Sequence, residues 1–162
     1  MRIGNKYPQG TREIDSYTVL LLHCNNIAQD TTYLKDSRGR HDVATTYGTA
    51  TLSTTQKKFG NSSLYLDGNS DYITFPDHAD WNFGTGDFTI ECWFYLSVLP
   101  SSVGQDYVMF SQYEDDNNEW KMTIESDNTA SIYFIDGGVT KGSYSTSSAL
   151  PSLAINTWYT LP

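Results

Sequence analysis

Short runs of alternating apolar and polar residues follow one another along most of the chain, with turn residues between them. The clearest run is FTIECWFYL at residues 88–96. Because successive side chains of a strand point to opposite faces, one face should line a core. This inward face is predicted to carry Phe88, Ile90, Cys92 and Phe94. The outward face is mixed and carries Thr89, Glu91, Trp93 and Tyr95.

The same period predicts further strands, and no segment sustains the 3.6-residue period of an amphipathic helix. The predicted strands lie at residues 19–24, 42–47, 49–54, 63–68, 72–76, 88–96, 106–112, 119–126, 129–135, 140–146 and 157–161. Many short strands punctuated by turns indicate an antiparallel sandwich or barrel. Residues 1–16 are polar, with Gly4, Pro8 and Gly10, and are interpreted as an arm that precedes a single domain at 17–162.

The composition is typical of a β-sheet protein, and the net charge disfavours some classes of binding partner. The chain has 162 residues, of which 14% are aromatic and only 18% are charged. Its net charge of −9 disfavours nucleic acid and anionic membrane, which both need a positive surface. The apolar run at 19–22 is too short to span a bilayer, so no membrane insertion is expected. Calcium or a neutral polyhydroxylated ligand remains compatible with this charge.

Two cysteines, Cys24 and Cys92, each lie inside an apolar run. Buried free thiols are the favoured interpretation, because cysteine is among the most buried residue types. A disulfide between the two strands is the alternative. No CxxC motif or Cys/His cluster suggests zinc.

The glycine-spaced turn Gly84-Thr85-Gly86 could be taken for a phosphate-binding loop. Such a loop leads from a strand into the N-terminus of a helix. Here the turn leads into the strand at 88–96, and Asp87 adds a negative charge. The turn is therefore interpreted as a bend that sets the register of the strand.

Four motifs carry a resemblance to a known family: DSYTVLLLHCN (15–25), DSRGRHDV (36–43), KFGNSSLYLDG (58–68) and DYITFPDHADWNFGTGDFTIE (71–91). In order and spacing they resemble the laminin-G-like, concanavalin A-like jelly-roll domain of the kind found in bacteriophage virion proteins. The resemblance implies an all-β antiparallel jelly-roll β-sandwich. In that family further strands follow the one that contains Trp158 and Tyr159, so the last strands are expected to be missing here. Truncation, a longer parent protein and completion by a neighbouring chain all stay open.

The resemblance implies a structural or binding role without catalysis. The first hypothesis is a capsid decoration, tail or fibre module in a larger, oligomeric assembly, with other virion proteins as partners. The alternative is a module that binds host-surface polysaccharide, with calcium as its one candidate cofactor. Residues 1–16 contain no apolar signal-peptide region. The resemblance implies assembly in the host cytoplasm and localisation in the virion, and a chain without a signal-peptide region fits that expectation.

One motif would support an enzyme. Residues 114–119, EDDNNE, match the E-x-D-x-x-E pattern that resembles the signature of jelly-roll glycoside hydrolases. Those enzymes hold the two acids on a strand, whereas Asp115, Asn117 and Asn118 are turn-forming residues. The segment is therefore predicted to be an acidic hairpin loop, and no catalytic residue is assigned. His23, His41 and His78 are scattered and have no Cys or Asp partner at ligand spacing, and His23 is expected to be packed.

A possible calcium site lies at residues 67–71, DGNSD. Asp67, Asn69 and Asp71 place oxygen-bearing side chains at i, i+2 and i+4. The alternative is a tight turn in which Asp67 and Asn69 bond their own backbone. We favour the turn and keep calcium as the second hypothesis.

Glycan binding needs exposed aromatic rings beside amide and carboxylate groups. The candidates nearest to predicted loops are the aromatic residues Trp81, Tyr113, Trp120 and Tyr144, with the polar residues Asp115, Asn117 and Asn118. Of these, we predict that Tyr113, Asp115, Asn117, Asn118 and Trp81 bind the ligand. For Trp93 and Trp120 we expect packing in the core instead.

Overall fold

A computed structural model describes residues 2–4, 16–25, 34–41, 44–84, 86–146, 150 and 153–161. Strands dominate these residues, and only two helical turns interrupt them. The chain divides into two compact units, Met1–Phe94 with Trp158–Pro162, and Tyr95–Thr157. Each unit is described by itself below.

Twelve strands are present among the described residues. They are β1 (Arg2–Gly4), β2 (Thr18–Leu21), β3 (Thr45–Tyr47), β4 (Thr51–Ser53), β5 (Ser63–Tyr65), β6 (Tyr72–Thr74), β7 (Thr89–Tyr95), β8 (Tyr107–Asp115), β9 (Asn118–Ile124), β10 (Ala130–Asp136), β11 (Val139–Ser145) and β12 (Trp158–Leu161). A 3-10 helix spans Ala79–Trp81, and helix α1 spans Pro100–Val103. All eleven predicted strands are present, and the all-β fold class is confirmed. No helix within the described ranges is long and apolar enough to cross a membrane.

The first unit contains a four-stranded sheet in the order β12-β7-β1-β2 and two strand pairs, β3-β6 and β4-β5. Strand β1 is antiparallel to both of its neighbours, and its Ile3 lies opposite Leu20 and Ile90. Arg2–Gly4 therefore forms a strand within the segment that was interpreted as a polar arm. Residues 5–15 lie outside the described residues, so the boundary between arm and domain stays a prediction.

The core of the first unit is built from apolar residues of the strands and of the segments between them. A buried cluster joins Leu34, Ala44 and Leu52. The side chains packed against this cluster are Cys24, Leu64, Ile73 and Phe75. Strand β7 contributes Ile90 and Phe94, both buried as predicted. Burying a large aliphatic or aromatic side chain stabilises a fold by about 1.5–3 kcal/mol, so these positions define the unit.

Two predictions for the strand at 88–96 are wrong. Phe88 is 38% exposed because β7 begins only at Thr89, and its ring stacks on Phe83 at 4.4 Å. Trp93 is 44% exposed because it lies on the outward face of β7 and does not enter the core. The alternation thus holds within the strand and fails at its first predicted position.

Both cysteines are free, as the favoured interpretation predicts, but they are half-buried where full burial was expected. Burial raises the pKa of the Cys24 thiol. The same cause raises the pKa of Cys92 to about 11. Both thiols are therefore protonated at neutral pH.

The second unit is a four-stranded antiparallel sheet in the order β11-β10-β9-β8. The β8–β9 hairpin turns at Asp116 and Asn117, so a hairpin is present in the predicted acidic segment. The prediction of a loop over 114–119 is wrong at its ends, because 114–115 belong to β8 and 118–119 to β9. Gly137 and Gly138 join β10 to β11 with φ of 59° and 73°. Positive φ at both central residues fits a two-residue hairpin of the twisted, primed type. Ile124, at the end of β9, is fully buried.

Trp120 is half-buried in this sheet and does not lie deep in a core. Its indole Nε1 donates to Gln112 Oε1 at 2.9 Å, across the β8–β9 pair. The polar edge of the ring is therefore occupied by a neighbouring strand.

Candidate functional site

Four of the five predicted glycan-binding residues lie together at the β8–β9 hairpin of the second unit. Asp115 Oδ1 accepts from the Asn117 backbone N–H at 2.7 Å and from Asn118 Nδ2 at 3.1 Å. The Tyr113 hydroxyl donates to Asp116 Oδ1 at 2.9 Å. This hydrogen bond, followed by the negative charge of Asp116, raises the pKa of Tyr113.

The neighbouring β10–β11 turn completes this hairpin end. Gly137 N–H donates to Asn118 Oδ1 at 3.0 Å, and Gly138 N–H donates to the Asn117 carbonyl at 2.9 Å. These two hydrogen bonds connect the β8–β9 turn to the β10–β11 turn. Tyr113 is 60% exposed, so one aromatic ring remains available beside them.

Trp81, the fifth predicted residue, belongs to the first unit, in the 3-10 helix. Its Nε1 donates to the Pro76 carbonyl at 2.9 Å. Its ring stacks on His41 at 4.3 Å with planes 28° apart. Trp81 is thus already in contact with protein groups, and glycan binding by all five residues stays a prediction.

The two glutamates of the E-x-D-x-x-E pattern lie on opposite strands of the hairpin. Glu114 is in β8 and Glu119 is in β9, and the turn at Asp116 and Asn117 separates them. Glu119 is paired with Lys121 Nζ at 3.0 Å. The assignment of no catalytic residue to this chain stays a prediction.

The segment at 67–71 forms a turn that gathers around Thr49, which we call the acidic turn (Asp67 to Asp71 with Thr49). Asp71 Oδ1 accepts from the Thr49 backbone N–H at 2.6 Å, and Asp71 Oδ2 accepts from the Asp67 N–H at 2.8 Å. The Thr49 hydroxyl oxygen lies 3.0 Å from Asp67 Oδ2 and 3.1 Å from Asp71 Oδ2, so its single hydrogen can be donated to either carboxylate. Asp67 Oδ1 also accepts from the Asn69 N–H at 2.7 Å, which is the turn that the alternative describes.

The backbone N–H of Asp67 is the main reason that the pKa of Asp71 lies below its usual value. Charged acceptors make stronger hydrogen bonds than neutral ones, so the turn is stabilised in its ionised form. Calcium binding by Asp67, Asn69 and Asp71 stays a prediction, with the carboxylates already accepting protein hydrogen bonds.

The structure brings together two histidines that the sequence left scattered. His41, His78 and Asp80 each offer a ligand atom, and these atoms lie within 4.8 Å of one another. We call this group the histidine cluster. Spacing along the chain did not predict this group, because only the fold brings His41 close to His78 and Asp80. His23 is also not packed as expected: it is exposed, with Nδ1 2.6 Å from Ser37 Oγ.

The first unit also exposes a patch of aromatic side chains, which we call the Trp93 patch (Lys58, Phe59 and Trp93). Phe59 is 64% exposed and meets the Trp93 ring edge to face at 5.7 Å. Lys58 Nζ lies 4.4 Å from the centre of the indole ring. Such a cation over an aromatic face is attractive by about 0.5–1 kcal/mol at an exposed site.

Antiparallel sheets of short strands joined by turns are consistent with a concanavalin A-like β-sandwich. A family model described as the concanavalin A-like lectin/glucanases superfamily (Laminin_G_3) matches residues 67–161, and the chain belongs to this family. Among curated proteins, no sequence matches the chain.

A solved structure has a similar fold. It is the 2.1 Å crystal structure of an S-layer domain-containing protein (residues 221–444) from Clostridium thermocellum ATCC 27405. The TM-score is 0.63 at 23% sequence identity. The match covers 82% of this chain and 58% of the other, so the present chain spans little more than half of that structure. The similarity supports the fold alone.

Proposed function

We propose that the chain is a non-catalytic binding module that contacts other proteins of a larger assembly, in a bacteriophage virion. The observation that carries the proposal is the Trp93 patch. Trp and Phe have large apolar surfaces, and Trp is enriched where proteins contact one another. An exposed pair of these rings gives a partner protein an anchor that a simple solvated surface does not offer.

Open surface depressions are compatible with a macromolecular partner. Two of them within the described residues are open to solvent, one along 86–89 and the other around 23–25 and 35–39. Enzyme sites usually enclose much of a small substrate. A broad exposed surface is better suited to a macromolecular partner.

Cross-linking mass spectrometry on purified particles tests the virion assignment. Lys58 lies within the patch, so we expect amine cross-links from Lys58 to a second structural protein. Phe59→Ser and Trp93→Ser should reduce incorporation into particles, whereas Tyr65→Ser should not, although Tyr65 is also half exposed in the same unit. Absence of the chain from purified particles would exclude the proposal.

Glycan binding at the hairpin end is the second candidate, favoured by the exposed Tyr113 ring beside carboxylate and amide groups. Retention on host-surface polysaccharide should be lost in Tyr113→Ala and kept in Glu114→Gln and Glu119→Gln. Release of reducing ends that the two Gln substitutions abolish would instead show a hydrolase. Equal retention of all three variants would rule out Tyr113 as the contact.

A further inference from the structure

We propose that His41, His78 and Asp80 form a binding site for a divalent transition metal ion such as Zn²⁺ in the first unit. The inference rests on the position of one buried imidazole nitrogen and on the two side chains that face it. It is independent of the binding partner proposed above.

The backbone around His41 is fixed by a buried carboxylate. Asp36 is fully buried, and its Oδ2 accepts from the backbone N–H of Arg40 at 3.0 Å and of His41 at 3.3 Å. Its Oδ1 accepts from Leu21 and Arg38, each at 3.0 Å. Burial by itself would raise the pKa of Asp36, but these four N–H groups outweigh it and lower the pKa. The loop that carries His41 is therefore held before any ligand arrives.

The ring of His41 is fixed as well. Its side chain is only 4% exposed and stacks on Trp81 at 4.3 Å. Its Nε2 is buried and has no hydrogen-bond partner in the part of the chain that the structure describes. A buried polar atom without a partner costs about 1–3 kcal/mol, and native structures contain few of them. A bound cation would supply the missing partner.

His78 and Asp80 face this nitrogen from the 3-10 helix. Asp80 Oδ2 lies 3.4 Å from His41 Nε2 and 3.6 Å from His78 Nδ1. Bonds of about 2.0–2.1 Å in a tetrahedral zinc site place neighbouring ligand atoms roughly 3.3 Å apart. Both distances are close to that separation. The two imidazole ligand atoms lie within 4.8 Å of each other, which is wider, so one imidazole must move toward the other for the three side chains to share one ion.

The donor types decide which ion fits. Two imidazoles and one carboxylate suit Zn²⁺, Ni²⁺ or Cu²⁺, whereas Ca²⁺ and Mg²⁺ prefer oxygen ligands alone. Three protein ligands also leave a fourth position for water or another ligand. The calcium hypothesis for the acidic turn concerns a different place and different chemistry.

Two contacts in the cluster compete with a metal. Arg40 Nη1 lies 3.9 Å from Asp80 Oδ2, and its side chain is 43% exposed, so it can turn toward solvent. His78 Nδ1 accepts from the Asp80 backbone N–H at 3.1 Å and so caps the 3-10 helix. Coordination through Nδ1 would release that N–H. His78 should therefore be the weakest of the three ligands, and His41 the strongest.

A metal-free arrangement is the competing explanation. In it, His41 and Asp80 form a simple ion pair, and the chain has no specific affinity for Zn²⁺. The two explanations differ in stoichiometry and in the effect of single substitutions. Calorimetric titration of the chelator-treated chain with ZnCl₂ separates them.

We expect one Zn²⁺ per chain. His41→Ala and Asp80→Asn should each weaken binding at least tenfold. His78→Asn keeps an acceptor for the Asp80 N–H while removing the imidazole, so it should weaken binding by a smaller factor without unfolding the chain. His23→Ala is the matched control, because His23 is exposed and lies outside the cluster, and its affinity should equal that of the unmodified chain.

A spectroscopic readout covers the case in which His41→Ala fails to fold. Co²⁺ in a tetrahedral site gives visible absorption bands, which should appear with the unmodified chain and decrease in His78→Asn. Absence of Zn²⁺ binding, binding that His23→Ala weakens as much as His78→Asn does, or binding unchanged in both His78→Asn and Asp80→Asn would each overturn the proposal.

Discussion

The acidic turn and the histidine cluster both gather ionisable side chains in the first unit, but they differ in how their polar atoms are paired. In the acidic turn, both Asp71 oxygens accept hydrogen bonds from Thr49 or Asp67. In the histidine cluster, the buried Nε2 of His41 has no hydrogen-bond partner among the described residues, and the Asp80 carboxylate lies 3.4 Å from it. A polar group whose atoms all have hydrogen-bond partners within the protein stabilises the fold without a ligand. A buried polar atom that lacks a hydrogen-bond partner is a position where a ligand such as a metal ion can supply the missing partner.

The largest expected effect comes from removing the carboxylate that supports the histidine cluster. Asp36→Asn replaces a charged acceptor of four N–H groups with a neutral amide, one end of which is a donor. Because hydrogen bonds to charged groups contribute about 1.5–3 kcal/mol each, the free energy of unfolding should fall by roughly 2–4 kcal/mol. Urea denaturation measures this change. Exposed Asp77→Asn is the control, and a loss no larger than that of the control would contradict the prediction.

A smaller loss of stability should follow from adding a Cβ atom at Gly48, next to the acidic turn. Gly48 has φ of 68°, and a Cβ there would collide with Asp71 Oδ1. Gly68 has φ of 85°, but a Cβ there would meet nothing within 4 Å. Gly68→Ala should cost about 1 kcal/mol from backbone strain, and Gly48→Ala about 1–2 kcal/mol more. Thermal unfolding of the two variants measures both losses. Equal losses would show that the Asp71 side chain moves away from the added Cβ at no cost in stability.

The acidic turn should also give a pH signature. The folded pKa of Asp71 is lower than the unfolded value, so its contribution is fully present above about pH 4 and is lost as the pH falls through the folded pKa. The Tm of Asp71→Asn should therefore be lower than that of the unmodified chain at pH 7, and the gap should narrow below about pH 4. A gap that stays constant from pH 7 to pH 2 would mean that the ionised form of Asp71 is not favoured by folding.

The smallest effect is a comparison between ions. Because the Asp71 carboxylate already accepts protein hydrogen bonds, millimolar Ca²⁺ should leave Tm nearly unchanged, whereas Zn²⁺ at lower concentration should raise it. Differential scanning fluorimetry with each salt measures both shifts. A Ca²⁺ shift that Asp71→Asn removes would instead support calcium at Asp67, Asn69 and Asp71.

Much of the fold could be predicted from alternation and turn chemistry, since both are local. The strand at 88–96 shows where this method stops. A period of two residues does not say at which residue a strand begins, so the prediction includes Phe88, which lies just before β7. Arg2–Gly4 was missed because three residues of a polar segment carry no alternation. Its pairing with β2 and β7 is a long-range event.

The sites divide in the same way. The Tyr113 hairpin could be found from sequence, because its residues are neighbours along the chain. The histidine cluster could not, since His41 and His78 are 37 positions apart and meet only through packing around Trp81. The only local signal was His78 two residues before Asp80, and a pair of that kind is common without a metal. The exposure of Trp93 likewise depends on which face of β7 the core covers.

The burial of Cys92 has a practical consequence for labelling. With a pKa of about 11, this thiol is a thiolate in roughly one molecule in three thousand at pH 7.5. Maleimide and haloacetamide reagents react with the thiolate, so Cys92 should be labelled very slowly, and Cys24 is shifted in the same direction. A cysteine introduced at the exposed Thr54 or Ser143 would react first. A fluorophore or spin label can thus be placed in either unit while both native cysteines are kept.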